Sequence, residues 1–175
     1  MCNNKHLTLN DRLTIERELF FNKSFKQIGK ILNKDCTTIS KEIRDVIIKR
    51  VNKIGGHLGS NLAVVELITA LHYVFDSPKD KFVFDVSHQC YAHKILTGRK
   101  DFFIKDELLD KISGYTNQNE SEHDLFITGN TSTSISQACG IAKARDLKNE
   151  DYNVLAIIGD GALGGGEAFE GLSNA

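Results

Sequence analysis

The chain has 175 residues, 41% hydrophobic and 26% charged, a composition typical of one globular domain or of a small domain with part of another. It has no apolar run near the roughly 20 residues of a membrane helix, no signal-peptide core and no CxxC pair, so we expect a cytoplasmic protein without a membrane contact, a disulfide framework or a standard zinc site. Residues 1–50 carry 11 Lys and Arg against 6 Asp and Glu, whereas residues 51–175 carry 11 against 17, which indicates either two units with different partners or chance clustering.

Three short helical patterns follow one another in residues 1–45. Thr8 and Ser24 are suitable caps for the first two helices, and a third helix is expected to run through Ile39 and Ile43. Short helices joined by a tight turn are typical of a helix-turn-helix, whose second helix lies in the DNA major groove. The solvent face of the third helix would then carry candidate DNA contacts: Thr37, Thr38, Ser40, Lys41 and Arg44. A small solvated helical bundle explains the same pattern equally well.

Helical and strand patterns alternate in residues 46–175. Helices are predicted at 46–53, ending at Gly55-Gly56, at 61–73 and at about 132–145. Short apolar runs predict parallel strands at 81–86, 124–128 and 152–158. This alternation indicates an α/β fold with a parallel sheet.

Chemistry-bearing residues follow each predicted strand at its carboxyl end. These segments are Asp85–Gln89, Gly129–Ser132 and Gly159–Ala162. Because parallel strands bring their carboxyl ends to one edge of the sheet, we expect the three segments to converge on one pocket. The turn at Gly129 would offer N–H groups to a phosphate, and Asp160 would offer one oxygen to Mg²⁺.

Each of these signals has an alternative explanation. Residues 159–164 also fit the G-x-G-x-x-G turn of nicotinamide-binding domains, a weak motif by itself. His88, Cys90 and His93 could be metal ligands, although their spacing fits no standard zinc pattern. His57 follows two glycines and could simply cap the end of a helix.

Four segments of the body form a series of motifs: Gly55–Leu62, Asp85–Arg99, Thr131–Ser136 and Gly159–Ala162. Together they resemble 1-deoxy-D-xylulose-5-phosphate synthase, a family of thiamine-diphosphate enzymes related to transketolase. The second segment is the most specific, because it separates this family from transketolase proper. The resemblance covers residues 46–175 and implies the N-terminal part of a transketolase-like, parallel-sheet domain that binds thiamine diphosphate.

The resemblance also implies roles for individual residues. Asp160 would bind Mg²⁺, and His57 and His88 would be the catalytic residues, with His57 facing the substrates. Six residues would contact thiamine diphosphate: His88, Gly129, Asn130, Thr131, Gly161 and Ala162. Two departures stand out, because Asn130 occupies a position where the family is expected to have His, and residues 163–167 carry an extra Gly and a charge.

The resemblance further implies an activity. The family condenses pyruvate with glyceraldehyde 3-phosphate, which supplies isoprenoid, thiamine and pyridoxal synthesis, and it is expected to be homodimeric. The glutamate that acts on the cofactor's pyrimidine and a second metal-binding Asn are expected downstream of Ala175. We therefore expect a fragment of a transferase that is inactive alone.

The basic amino-terminal segment has a different resemblance. His6–Arg12, Ser24–Leu32 and Thr37–Arg44 are similar to the helix-turn-helix head of bacterial insertion-element transposases, over about residues 5–45. We therefore divide the chain into a head at 1–45 and a truncated cofactor-binding domain at 46–175. One hypothesis is a synthase fragment whose amino terminus is replaced or misjoined, and the other is a DNA-binding protein derived from a transposase head.

Overall fold

A computed structural model of the chain describes Thr14, residues 31–32 and residues 36–175, with the backbone alone at residues 36 and 37. The isolated described positions before residue 36 are helical, and the rest of the first two predicted helices lies outside the described residues. The chain forms two compact units. Unit 1 contains the described residues up to Asp76 together with Tyr91–Ile112, and unit 2 contains Ser77–Cys90 together with Ser113–Ala175.

Two long helices form most of unit 1: α1, Cys36–Ile54, and α2, Leu58–Val74. Ile39, Ile43 and Ile47 are buried on one face of α1, because residues four apart lie above one another on a helix. The third helix predicted for the head and the helix predicted at 46–53 are therefore one helix, and the boundary between residues 45 and 46 lies inside it.

Two glycines end α1, as the sequence predicts. Gly55 and Gly56 have φ angles of +81° and +135°, which favour glycine over residues with a Cβ. Position 56 also requires glycine for a steric reason, because a Cβ there would lie 2.7 Å from the hydroxyl oxygen of Tyr91. The pair directs the chain into α2.

Short helical turns complete unit 1: α3, Tyr91–Lys94, a π-helical turn, Ile95–Arg99, α4, Asp101–Ile104, and a 3₁₀ turn, Asp106–Leu108. Arg50 of α1 contacts two of these turns, α3 and α4. Its guanidinium lies 5.1 Å from the ring centre of Tyr91 and 4.8 Å from that of Phe103, and it donates to the Leu109 carbonyl at 3.1 Å. Two aromatic rings and one carbonyl therefore stabilise this buried guanidinium.

A parallel pair of strands lies at the centre of unit 2: β1, Lys81–Phe84, and β2, Val154–Ile157, in register from Lys81 opposite Val154 to Phe84 opposite Ile157. Three consecutive residues of β1, Phe82 to Phe84, are buried, which is typical of a parallel strand covered on both faces. Three helices follow: α5, Ser134–Lys148, α6, Asp160–Leu163, and α7, Gly166–Asn174. The predicted mixture of helices with a small parallel sheet is confirmed.

The strand predicted at 124–128 is wrong, and within the described residues the sheet has two strands. Carbonyl groups of this segment accept hydrogen bonds from side chains instead of from a neighbouring strand. Thr116 Oγ1 donates to the Phe126 carbonyl at 2.9 Å, and Ser87 Oγ donates to the Thr128 carbonyl at 3.5 Å. No helix in the described part of the chain is long and apolar enough to cross a membrane.

Candidate functional site

A buried carboxylate stands at the carboxyl end of β1. Asp85 is 1% exposed, and its two oxygens accept backbone N–H groups from Ser132 at 2.9 Å and Ser134 at 3.0 Å. Its own N–H donates to the Ile157 carbonyl at 2.8 Å, which continues the pairing of the strands. Asp85 thus joins the end of the sheet to the start of α5.

The backbone turns sharply after Asp85. The Ser87 N–H donates to the Asp85 carbonyl at 2.5 Å, which closes a three-residue turn around Val86 with φ of +57°. A positive φ is unusual for a β-branched residue and is found where the surroundings over-determine the backbone. Ser87, with φ of +73°, supplies that support, because its Oγ accepts the Thr116 N–H at 3.1 Å.

Two of the predicted cofactor-binding segments lie side by side. Ser132, at the end of the loop 129–132, donates from Oγ to the Ala162 carbonyl at 2.7 Å. Residues 129, 130 and 131 are exposed beside this bond, and so are residues 160 and 161. The structure therefore brings together the carboxyl-end segments after 124–128 and after β2, as expected from the sequence.

Asp160 presents an exposed carboxylate at the start of α6. Its Oδ1 accepts the Gly161 N–H at 2.9 Å, and an added Cβ at Gly129, Gly159 or Gly161 would meet no atom within 4 Å. The side of the site that these glycines line is therefore open. Among the described residues no group of three His, Cys, Asp or Glu side chains is arranged to hold a metal ion.

The two predicted catalytic histidines lie in different units. His88 is half-buried in the turn that follows β1. His57 is exposed at the start of α2, where its carbonyl accepts from Asn61 Nδ2 at 2.6 Å and its side chain makes no capping hydrogen bond. His57 is the N-cap residue of α2, which agrees with the alternative that it caps a helix end.

The predicted DNA contacts on α1 have mixed surroundings. Thr38 is half-buried, Lys41 is exposed and Ser40 is 3% exposed. Arg44 donates to the Leu62 carbonyl at 2.8 Å and to both carboxylate oxygens of Glu66 at 3.0 and 2.8 Å. The expectation of one shared solvent face is wrong for Ser40, and the side chain of Thr37 lies outside the described residues.

A protein-family profile described as 1-deoxy-D-xylulose-5-phosphate synthase matches residues 21–175. The chain belongs to this synthase family. The match begins inside the segment predicted as a head, and the transposase resemblance of residues 5–45 stays a prediction.

Curated relatives named 1-deoxy-D-xylulose-5-phosphate synthase support the assignment. The relative from Caldanaerobacter subterraneus subsp. tengcongensis is 57% identical over 141 residues, 81% of this chain and 23% of the relative. The relative from Desulforudis audaxviator is 58% identical over 137 residues, which are 78% of this chain and 22% of the relative. The relative from Alkaliphilus oremlandii is 51% identical over 151 residues, which are 86% of this chain and 24% of the relative. The chain thus spans about a quarter of the length of these relatives.

The departure from the synthase pattern at residues 163–167 has a structural explanation. Glu167 Oε1 accepts from Ser136 Oγ at 2.8 Å, so the added charge connects α7 to α5. A Cβ at Gly165 would overlap Ser132 Oγ and lie 2.8 Å from Ser132 Cβ. The glycine at 165 is therefore needed for the close approach of the two segments.

Two residues that organise this part of the synthase domain were not among the predicted site residues. Asp85 and Ser132 both fall in segments marked as chemistry-bearing, but the sequence does not reveal which carboxylate of a segment is buried. One signal could have found them. A Ser/Thr-rich run that opens a helix needs an acceptor for its first N–H groups, and Asp85 is the carboxylate that directly follows a buried strand.

Proposed function

We propose that this chain forms part of the thiamine-diphosphate site of a 1-deoxy-D-xylulose-5-phosphate synthase. The observation that carries the proposal is the 2.7 Å hydrogen bond from Ser132 to the Ala162 carbonyl, which sets the exposed loop 129–131 beside Asp160 and Gly161. An exposed loop and an exposed carboxylate at the carboxyl edge of a parallel sheet are a typical arrangement for binding a phosphorylated ligand with its metal.

The donor groups fit the proposed ligands. Asp160 holds Mg²⁺, since Mg²⁺ is bound through one or two carboxylates together with phosphate oxygens. Gly161 and Ala162 lie beside the diphosphate, and the open space at Gly129 and Gly161 leaves room for it. Gly129, Asn130, Thr131 and His88 contact the cofactor. Asn130 contributes hydrogen bonds but, unlike His, does not take up or release a proton near neutral pH.

The proposed activity is the condensation of pyruvate with glyceraldehyde 3-phosphate, for which thiamine diphosphate supplies the carbanion chemistry when bound. Within this chain the residues hold and orient ligands: Asp160 and the loop 129–131 position the diphosphate end, and His57 faces the substrates. The proposal includes a cytoplasmic homodimer, as the resemblance to the synthase family implies. Sedimentation equilibrium of the chain tests the dimer.

Calorimetric titration with thiamine diphosphate tests the site. With saturating Mg²⁺ we expect the chain to bind the cofactor, and we expect chelation of Mg²⁺ to abolish binding. Asp160→Ala should weaken Mg²⁺-dependent binding by more than about tenfold, because a charged ligand of the cation is lost. Asp160 is exposed, so unfolding is not expected to account for the loss, and a urea titration of the variant checks this.

Asp151→Ala is the matched control. Asp151 is an exposed carboxylate of the same unit, but it precedes β2 and so stands at the opposite end of the strand from Asp160. Its removal changes the net charge by the same amount and should leave cofactor affinity within about twofold, since surface charges this far apart are largely screened. Unchanged affinity in Asp160→Ala, or an equal loss in Asp151→Ala, would contradict the assignment.

DNA binding through residues 37–44 remains a prediction from the sequence. Lys41 is the exposed cation of this segment, whereas Arg44 is held by Leu62 and Glu66. If the segment contacts phosphates, Lys41→Ala combined with Arg44→Ala should lower DNA affinity and reduce the slope of log affinity against log salt concentration. Fluorescence anisotropy with duplex DNA at several salt concentrations measures both quantities, and an unaltered slope would exclude this face.

A further inference from the structure

Asp85 has hydrogen-bond partners within unit 2 at its carboxylate and at its backbone. Its carboxylate oxygens accept the backbone N–H groups of Ser132 and Ser134, and its backbone carbonyl accepts from Gln89 Nε2 at 3.0 Å. A carboxylate that is 1% exposed requires such partners, because an unpaired buried charge is strongly unfavourable. The bonds therefore constrain Asp85 and the loop it holds to one arrangement.

The Ser134 N–H belongs to the first residue of α5, and the Ser132 N–H lies two residues before it. The residue before this helix, Thr133, makes no capping hydrogen bond with its side chain. Asp85, 49 residues earlier in the chain, supplies the acceptor for the Ser134 N–H, and a negative charge is favourable at a helix N-terminus. The position of the first turn of α5 is therefore set by the end of β1.

The Ser132 backbone has a conformation that needs support. Its φ is +69°, in the left-handed region that is unfavourable for residues with a Cβ. The N–H bond to Asp85 holds the backbone in this conformation, and the same conformation directs Oγ to the Ala162 carbonyl at 2.7 Å. A single carboxylate thereby sets the end of the loop 129–132 and, through Ser132, the turn that carries Asp160.

We propose that Asp85 is a positioning residue for the diphosphate end of the site. It does not touch the ligand. Its carboxylate holds the loop 129–131 and the Asp160 turn in the relative positions that bind the ligand, through Ser132 and Ser134. The inference rests on the proposed function for the identity of the ligand. It adds the role of Asp85 and the contacts that run from Asp85 through Ser132 to Ala162, which the proposed function alone does not require.

Asp85→Asn tests the proposal with little change in volume. The amide keeps one acceptor oxygen and presents an NH₂ group to the other backbone N–H, so one of the two bonds is lost. We expect the amide proton of Ser132 or Ser134 to lose the NMR chemical shift that its hydrogen bond to the carboxylate causes. The same proton should exchange with solvent at least about tenfold faster. Thiamine-diphosphate affinity at saturating Mg²⁺ should fall by about 10- to 100-fold, the usual effect of removing the support of a binding group.

Asp80→Asn separates positioning from general stability. Asp80 is also buried, 7% exposed, and its Oδ1 accepts from both the backbone and the side chain of Asn153 at 2.7 and 3.0 Å, but at the amino end of β1. This variant should lose stability in a urea titration and keep cofactor affinity within about twofold. Equal losses of affinity in the two variants would overturn the positioning role.

Ser132→Ala provides a second perturbation in case Asp85→Asn does not fold. It retains both N–H bonds to Asp85 and removes the hydroxyl bond to the Ala162 carbonyl. Affinity for thiamine diphosphate should fall by about three- to tenfold, the equivalent of one neutral hydrogen bond. Unchanged affinity would show that the contact from loop to turn does not position the ligand.

The failures of the two proposals are distinguishable. If the wild-type chain binds the cofactor, Asp160→Ala does not, and Asp85→Asn binds as the wild type does, the proposed function stands and the positioning role of Asp85 is wrong. If the wild-type chain does not bind the cofactor, the proposed function is wrong and the ligand role of Asp85 fails with it. The exchange rates of the Ser132 and Ser134 amides then decide whether Asp85 holds the loop.

Discussion

Gly165→Ala is the sharpest test of the packing between the loop 129–132 and the segment that precedes α7. Gly165 has φ of −76° and ψ of 146°, a conformation open to any residue, so the need for glycine is steric. A Cβ there would overlap Ser132 Oγ and lie 3.3 Å from the Ala162 carbonyl. The adjacent Gly166, at the first position of α7, would meet no atom within 4 Å and is the matched control.

The expected magnitude follows from two effects. Forcing a methyl group into a filled space costs about 1–3 kcal/mol, and the displaced Ser132 hydroxyl loses a hydrogen bond of about 1 kcal/mol. Gly165→Ala should therefore lower the free energy of unfolding by about 2–4 kcal/mol. Gly166→Ala should raise it by up to about 1 kcal/mol, because alanine is the better helix former.

Urea unfolding followed by circular dichroism measures the difference. With a slope of about 2 kcal/mol per molar urea, the midpoint of Gly165→Ala should fall by about 1–2 M while that of Gly166→Ala does not fall. Ser132→Gly removes the two Ser132 atoms that the new methyl would meet and leaves the less crowded Ala162 carbonyl, so the cost of Gly165→Ala should shrink to below about 1 kcal/mol in that background. The steric reasoning is refuted if the two glycine variants unfold alike or if Ser132→Gly brings no relief.

Two further predictions concern unit 1 and use the same urea assay. Asn61→Ala should lower the free energy of unfolding by about 2–4 kcal/mol. Asn61 is 0% exposed, accepts the Tyr91 N–H at 2.8 Å and donates to the His57 carbonyl at 2.6 Å. A cost under about 1 kcal/mol would show that these groups find other partners. Arg50→Lys should cost about 1–2 kcal/mol, because an ammonium does not stack on the two rings as a guanidinium does. Lys53→Ala, which breaks the exposed ion pair between Lys53 of the same helix and Asp106, should cost less than about 1 kcal/mol. Equal effects at the two positions would contradict the stacking argument.

Local chemistry made several elements predictable from the sequence. The helix end at Gly55-Gly56 follows from glycine's access to positive φ, and the structure has both residues there. The strands predicted at 81–86 and 152–158 contain β1 and β2, because a short run of apolar residues can be buried on both faces of a parallel strand. In both cases the deciding property belongs to a few consecutive residues.

The strand predicted at 124–128 failed for a reason that lies elsewhere in the chain. Its apolar composition is that of a strand, but a strand also needs a neighbour for its carbonyl groups. The Phe126 and Thr128 carbonyls have side-chain donors in Thr116 and Ser87 instead. No local pattern specifies that these two hydroxyl groups, 10 and 41 residues earlier in the chain, will be the partners.

The exposed residues of the candidate site could be predicted from the sequence, whereas the buried residues that position them could not. Asp160 and Gly161 are a recognisable motif because their chemistry depends on residue type and adjacency. The roles of Asp85 and Ser132 depend on a contact between residues that are distant in the sequence, since the Asp85 carboxylate accepts the N–H of a residue 47 positions later. A carboxylate in a sequence can be solvated or buried, and only the packing of β1 against the start of α5 decides that Asp85 is buried.

The continuity of α1 constrains any role of the amino-terminal segment. Ile39 and Ile43, from the stretch that resembles a transposase head, are buried on the same face as Ile47, from the stretch with synthase motifs. Arg44 uses its guanidinium on α2, at the Leu62 carbonyl and Glu66. Removal of residues 36–45 would take two buried isoleucines from unit 1, each of which stabilises the fold by about 1.5–3 kcal/mol. A DNA-binding role for this segment must therefore be compatible with its packing in the unit that also carries His57.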